Sequence, residues 1–157
     1  MKYTRLTKEQ LEELHQEFIN FLATQSITGA EWESIKRDKP EVAEEEIDIF
    51  SDLIWEGVLD KVEFLEHFSA NQMFLFHITQ VEINLIAVKL EKDDIDIRTP
   101  SGYQWLQKNL MDDKVNLYTS SKVLKEDRNK DIFALIQQGA VITKGDLYRY
   151  FDNVVNE

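Results

Sequence analysis

With 43% hydrophobic and 31% charged residues in 157, the chain has the composition of a globular domain rather than a disordered tail. Its net charge of −12 is unevenly spread: residues 1–60 hold 6 Lys/Arg against 15 Asp/Glu, and residues 61–157 hold 12 against 15. An acidic front half repels a phosphate backbone or an anionic membrane, and the absence of cysteine excludes disulfides, thiolate zinc sites and a cysteine nucleophile. The opening MKYTRLTKEQ lacks an apolar leader core, and no segment approaches about 20 uninterrupted apolar residues. A single cytoplasmic domain beginning at Met1 is the expectation.

In chain order, the first helix is predicted over residues 8–25. Thr7 is its N-cap, Gln10 completes a capping box, and Leu6 with Leu11 forms a hydrophobic staple. Leu11, Leu14, Phe18 and Leu22 then share one face. The same device recurs at Thr28 with Glu31, opening a short helix to about Arg37, and at Thr143 with Asp146, opening the last helix. Pro40 suits the first position of a long third helix, where its missing N–H costs nothing. Val42, Ile47, Ile49, Phe50, Leu53, Ile54 and Val58 are assigned to the buried half of that helix. Glu41, Glu44, Glu45, Asp48, Asp52 and Glu56 form an acidic outer stripe. Like charges four residues apart cost a few tenths of a kcal/mol each; burying the apolar half, at roughly 1.5–3 kcal/mol per large side chain, outweighs that.

A strand is predicted over 62–68. The longest apolar stretch, MFLFHITQVEINLIAVKL at 73–90, is too apolar for a surface helix and rich in β-branched residues. It reads as a hairpin of strands 73–79 and 83–90, although its turn lacks the usual Gly or Asn. A two-residue loop at Ala70 and Asn71 sets Phe74 opposite His67 and sends His77 to the other face; a three-residue loop makes the histidines diagonal neighbours. Thr99 and Pro100 launch a helix to about Leu110. Residues 115–121 alternate as a strand, and 127–138 form a helix stopped by Gly139. The last helix spans 144–155. The fold class is α+β: an N-terminal helical layer, a small, mainly antiparallel β-sheet, and C-terminal helices packed on it.

Few motifs carry chemistry. Glu12 and His15 have the spacing of a di-iron ligand pair, but such a site needs two copies of the pair and two further glutamates; only one copy exists, and its two side chains diverge on the helix. There is no Gly-x-Ser-x-Gly elbow and no glycine-rich phosphate loop. No catalytic residue, metal or cofactor is therefore assigned. Trp55 projects on the same side as Glu44, Asp48, Asp52 and Glu56, and an aromatic ringed by carboxylates suits a basic protein partner. The competing reading is that another part of the chain covers it. The least acidic segment, 119–149, offers Lys122, Arg128, Lys130, Lys144 and Arg149 for anion or nucleic-acid contact. Within it, DIFALIQQGAVITKGDLYRYF looks like the helix-turn-helix of winged-helix proteins, although Asp146 and Asp152 oppose phosphate binding.

Three stretches, LTKEQLEELHQEFINFLATQSI, IDIFSDLIWEGVL and RNKDIFALIQQGAVITKGDLYRYFDN, together resemble a family of small acidic bacterial proteins of unknown function. The resemblance spans nearly the whole chain and implies no activity, fold or site residue. Some members carry a histidyl-tRNA synthetase label, for which this sequence has neither the motifs nor the length. The expected function is a protein-interaction or regulatory module using the acidic helical face, with nucleic-acid association through the C-terminal helix pair as the alternative. A protein partner of basic character is expected, nucleic acid and membrane are disfavoured, and the oligomeric state is left open.

Overall fold

A computed structural model describes residues 1–156, which divide into two compact units, 1–60 and 61–156. The first unit is helical, with α1 (Lys8–Glu13), α2 (His15–Thr24), α3 (Gly29–Asp38) and α4 (Pro40–Asp60). Thr7 caps α1 through the Gln10 N–H, and the Gln10 side chain accepts from the Thr7 N–H, closing the capping box. The predicted first helix is kinked at Leu14, where φ is −98° and ψ 23°. The ladder survives the kink, since Leu14 N–H still donates to Gln10 O and Phe18 N–H to Leu14 O. Such a kink leaves no proline or glycine signature in the sequence.

The core of this unit is aromatic. Phe18 meets Trp32 and Phe50 edge-on at 5.1 and 5.0 Å, and Phe21 lies 5.4 Å from Phe50. The inward face of α4 differs from its apolar pattern. Ala43, Phe50, Ser51 and Leu59 are buried, whereas Ile49, Leu53 and Val58 are 51%, 55% and 41% exposed. The cause is the segment ahead of α1, which lies along the polar flank of α4. Leu6 N–H donates to Ser51 Oγ, and Ser51 Oγ–H donates to the Ile47 carbonyl. Tyr3 and Leu6 are buried with Ser51. The polar flank is thus covered, and the Ile49–Leu53 flank stays bare.

The second unit is built on one antiparallel sheet with strand order β4-β3-β2-β1-β5. Its elements are β1 (Phe64–Phe68), β2 (Gln72–Ile78), β3 (Glu82–Leu90), α5 (Pro100–Lys108), β4 (Val115–Val123), α6 (Arg128–Gln137), β5 (Val141–Thr143) and α7 (Asp146–Val155). The α+β class holds, and among the described residues no helix is long and apolar enough to cross a membrane. The predicted central hairpin forms, with Met73 opposite Val88 and Ile78 opposite Ile83. Its turn needs neither Gly nor Asn because Thr79 does their work: Thr79 Oγ1 accepts from the Val81 and Glu82 N–H groups. The tighter β1–β2 loop is the two-residue one, closed by Ser69 N–H to Gln72 O, so His67 faces Phe74 and His77 faces Phe64.

One face of the sheet presents Met73, Leu75, Ile86, Val88, Leu90 and Val115 to Ile97, Leu106 and Phe151, the last two from α5 and α7. The other face presents Phe76, Ile83 and Leu85 toward Ala134 and Leu135 of α6. Two sequence expectations fail here. Thr143 is not the cap of the last helix, because the β-branched run ending at it pairs with β1, Thr143 opposite Phe64. Gly145 takes the cap position instead, in the left-handed region at φ 88°, and a Cβ there would collide with the Phe64 ring. The helix pair is therefore not a helix-turn-helix, since α6 and α7 are separated by a strand that extends the sheet.

Burial raises the pKa of Glu66, on β1, above the ordinary glutamate range, with the Asp146 charge adding to it and a hydrogen bond from Thr143 opposing it. The folded chain holds that proton to a higher pH than the unfolded chain, so stability falls as pH rises through the window just above the usual glutamate value. Glu66→Gln is expected to remove this loss and give a modest gain in urea midpoint at pH 7. The gain should vanish near pH 4.

Candidate functional site

The acidic stripe of α4 is engaged by the chain itself. The Lys2 and Tyr3 N–H groups donate to the Asp52 carboxylate at 2.7 and 2.9 Å, and Arg5 Nε donates to Asp48 at 2.6 Å. The Tyr3 hydroxyl donates to Glu56 at 2.5 Å, with Lys2 Nζ 3.4 Å from the same carboxylate. The Arg5 hydrogen bond holds the Asp48 carboxyl below the usual aspartate range. Glu44 is exposed, and Trp55 is half-buried with its indole nitrogen enclosed. Lys2 and Arg5 thus supply within the first unit the basic complement that this stripe suggests.

The basic residues of the C-terminal half do not form one surface by hydrogen bonding. Arg128 turns inward, donating from Nε to the Thr79 carbonyl at 3.0 Å, from Nη2 to the Val62 carbonyl at 2.5 Å and from Nη1 to Asn129 Oδ1 at 3.0 Å. It ties the start of α6 to the β2–β3 turn. Arg149 donates to the Lys144 carbonyl at 2.9 Å and lies 4.7 Å over the Phe64 ring. Lys122, Lys130 and Lys144 are exposed on β4, α6 and the loop before α7. His67 and His77 are on opposite sheet faces, and among the described residues no three His, Asp or Glu side chains converge as a metal site requires.

A different site emerges beside β4. A polar cleft of about 650 Å³ opens on the sheet face that carries α7. Its floor is His77, Asn84, Thr119 and Ser121, from three adjacent strands; its wall is Tyr148, Asp152 and Asn156, from α7 and its end. The register explains the floor: His77 is opposite Asn84, and Asn84 opposite Ser121. Helical spacing explains the wall, because positions 148, 152 and 156 fall on one face. The Ser121 hydroxyl donates to Asn84 Oδ1 at 2.6 Å. Asn156 Nδ2 donates to Asp152 Oδ1 at 2.8 Å, leaving Asp152 Oδ2 for a ligand. The His77 ring stacks on Phe64 at 4.7 Å and 13° and lies 5.4 Å from Tyr148.

Burial, and then the charges of Asp152 and Glu82, raise the Tyr148 hydroxyl above the usual tyrosine range. The Tyr148 hydroxyl and both His77 nitrogens have no hydrogen-bond partner among the described residues. This is a set of binding groups and not an activated nucleophile, because the Ser121 proton goes to an amide oxygen and not to a base. Sequence reading singled out His77 without a partner. The pointers to its neighbours were the polar run Thr119-Ser120-Ser121 inside a strand and the Tyr148–Asp152 pair four residues apart on a helix.

Alongside the cleft runs a free sheet edge. β4 pairs with β3 alone, over nine residues. Glu91 N–H donates to Lys114 O and Leu124 N–H to Val81 O, so the even positions of β4 bond inward to β3. The peptide groups of Leu117, Thr119, Ser121 and Val123 therefore face outward, and their side chains lie on the cleft's side of the sheet.

The chain matches the family described as a family of unknown function (DUF6495) over residues 1–156, and it belongs to that family. No curated protein and no solved structure matches it.

Tyr3→Phe should destabilise the first unit by about 1 kcal/mol, since it removes the hydrogen bond from the buried Tyr3 hydroxyl to the Glu56 carboxylate. Urea denaturation followed by tryptophan fluorescence measures this. Burial and then the Glu56 hydrogen bond push the Tyr3 hydroxyl up to about 12 from an ordinary 10.0. Its contribution is therefore fully present below pH 10, lost as pH rises through about 12, and absent from the Phe variant's profile.

Proposed function

We propose that this protein is an interaction module that takes an extended segment of a partner protein as an additional strand on β4. The observation that carries the reading is the nine-residue edge whose outward peptide groups, at Leu117, Thr119, Ser121 and Val123, run beside the polar cleft. Added strands gain affinity from main-chain hydrogen bonds and specificity from pockets that receive alternate side chains. Both elements are juxtaposed here. Thr119 and Ser121 serve twice, offering peptide groups to the incoming strand and side chains to the cleft floor.

This keeps the expected class of function and moves its surface. The carboxylates of α4 hold the chain's own N-terminal segment, so the surface free to receive a partner is sought on the sheet. A second copy of the chain suits the edge less well than a different protein. Paired about Thr119, it would bring only its own Leu117, Thr119 and Ser121 to the cleft face, leaving the cleft unfilled. Nucleic acid also suits it less, because Asp152 lines the cleft and Arg128 is committed to backbone carbonyls.

Thr119→Pro tests the reading. It deletes an outward N–H and leaves the β3–β4 ladder intact, a placement that edge strands tolerate. A random nonapeptide library panned on the full chain should yield binders that lose at least about tenfold in affinity for Thr119→Pro. Those peptides should slow hydrogen exchange at Thr119, Ser121 and Val123. A library without such binders, or binders indifferent to the substitution, overturns the proposal. So does a dimer of the chain that Thr119→Pro dissociates.

A further inference from the structure

We infer that the cleft beside β4 takes a cationic side chain, an ammonium or a guanidinium, from the incoming strand; this rests on the strand-addition reading and gives the partner its chemistry. In an antiparallel pair, directly opposed residues point to the same face about 5 Å apart. A residue set opposite Thr119 or Ser121 therefore extends its side chain over the cleft floor, and the length of a lysine or arginine carries its head to the α7 wall.

That wall and floor favour a cation on three grounds. Among the described residues lining the cleft, Asp152 is the one formally charged side chain, and Asn156 occupies only one of its two oxygens. Glu82 adds a second carboxylate from the next position along β3 on the same face, within 3.5 Å of Asn84 Nδ2, and its charge is felt at the Tyr148 hydroxyl. The rings of Tyr148 and His77 stand together beside these carboxylates, and an aromatic face attracts a cation that carboxylates have already drawn in.

The competing chemistries fit poorly. An anionic side chain meets two carboxylates. An apolar one would cover the His77 nitrogens and the Tyr148 hydroxyl without offering them a hydrogen bond. Among the described residues no lysine or arginine lines the cleft to neutralise it from within: Lys122 lies on the other sheet face, and Arg149 is bound to the Lys144 carbonyl and the Phe64 ring.

The test uses the full chain, isotopically labelled and followed by NMR at low salt. It is titrated with Nα-acetyl-lysine N-methylamide, its arginine counterpart and its norleucine counterpart. The cationic amides should shift the signals of Asn84, Ser121 and Asp152, and norleucine should bind at least about tenfold more weakly. The arginine and lysine arms tell which head group is preferred. Asp152→Asn should weaken the cationic amides about tenfold, and Glu82→Gln should weaken them by a smaller factor. Should Asp152→Asn fold poorly, Glu82→Gln and the loss of binding with added salt carry the same test. Norleucine binding as tightly as lysine, shifts that avoid the cleft, or indifference to both substitutions overturns the inference. These amides form no strand ladder, so failure here leaves strand addition standing. Peptides indifferent to Thr119→Pro overturn strand addition, whatever the amides do.

Discussion

The register between β2 and β3 is the constraint on which the sheet unit depends. Three consecutive β3 residues, Ile86, Ala87 and Val88, are buried, so both faces of that strand are spoken for. A slip by one residue exchanges the two faces. With β2 held in place, it would carry Ile86, Val88 and Leu90 off the face packed by α5 and α7, at roughly 1.5–3 kcal/mol per large side chain displaced. Thr79 sets that register from the turn, by holding the Val81 and Glu82 N–H groups on one hydroxyl oxygen. Everything polar in the cleft inherits it. Asn84 stands opposite His77 because of this pairing, and the β3–β4 register then sets Ser121 on its other side and turns the peptide groups of Thr119 and Ser121 outward.

In the helical unit the organising contact is electrostatic. α4 carries like charges at successive four-residue steps, an arrangement that opposes its own helix. The segment before α1 brings Lys2, Arg5 and two backbone N–H groups to three of those carboxylates. Exposed ion pairs such as Arg5–Asp48 contribute little by themselves, because solvent and salt screen them. Their larger effect is to place Tyr3 and Leu6, whose burial turns the polar flank of α4 inward. Acidity in this helix is thus part of how the unit holds its N-terminal segment.

What was legible in the sequence was local. Thr7, Thr28 and Thr99 cap the helices read from them, each through the N–H three residues on. The hairpin at 73–90 was readable from β-branching alone, without a turn signal. What was not legible depended on contacts between distant residues. No periodicity in α4 reveals that residues 1–6 cover Ser51 and leave Ile49 and Leu53 bare. β5 has only three residues, too few for a period of two to show between two helices, and its extended form comes from pairing with β1. His77 could be noticed but not partnered, because its cleft neighbours come from β3, β4 and α7.

The same nine-residue edge has a cost for the isolated chain. β4 carries no proline, one lysine and no bulge, so it lacks most of the devices that keep sheet edges from joining one another. The net charge of −12 opposes the approach of two such edges. That protection disappears as the solution approaches the isoelectric point near pH 4.7. Mild acid therefore removes the barrier to edge-to-edge stacking, making colloidal stability a property that follows the charge of the whole chain.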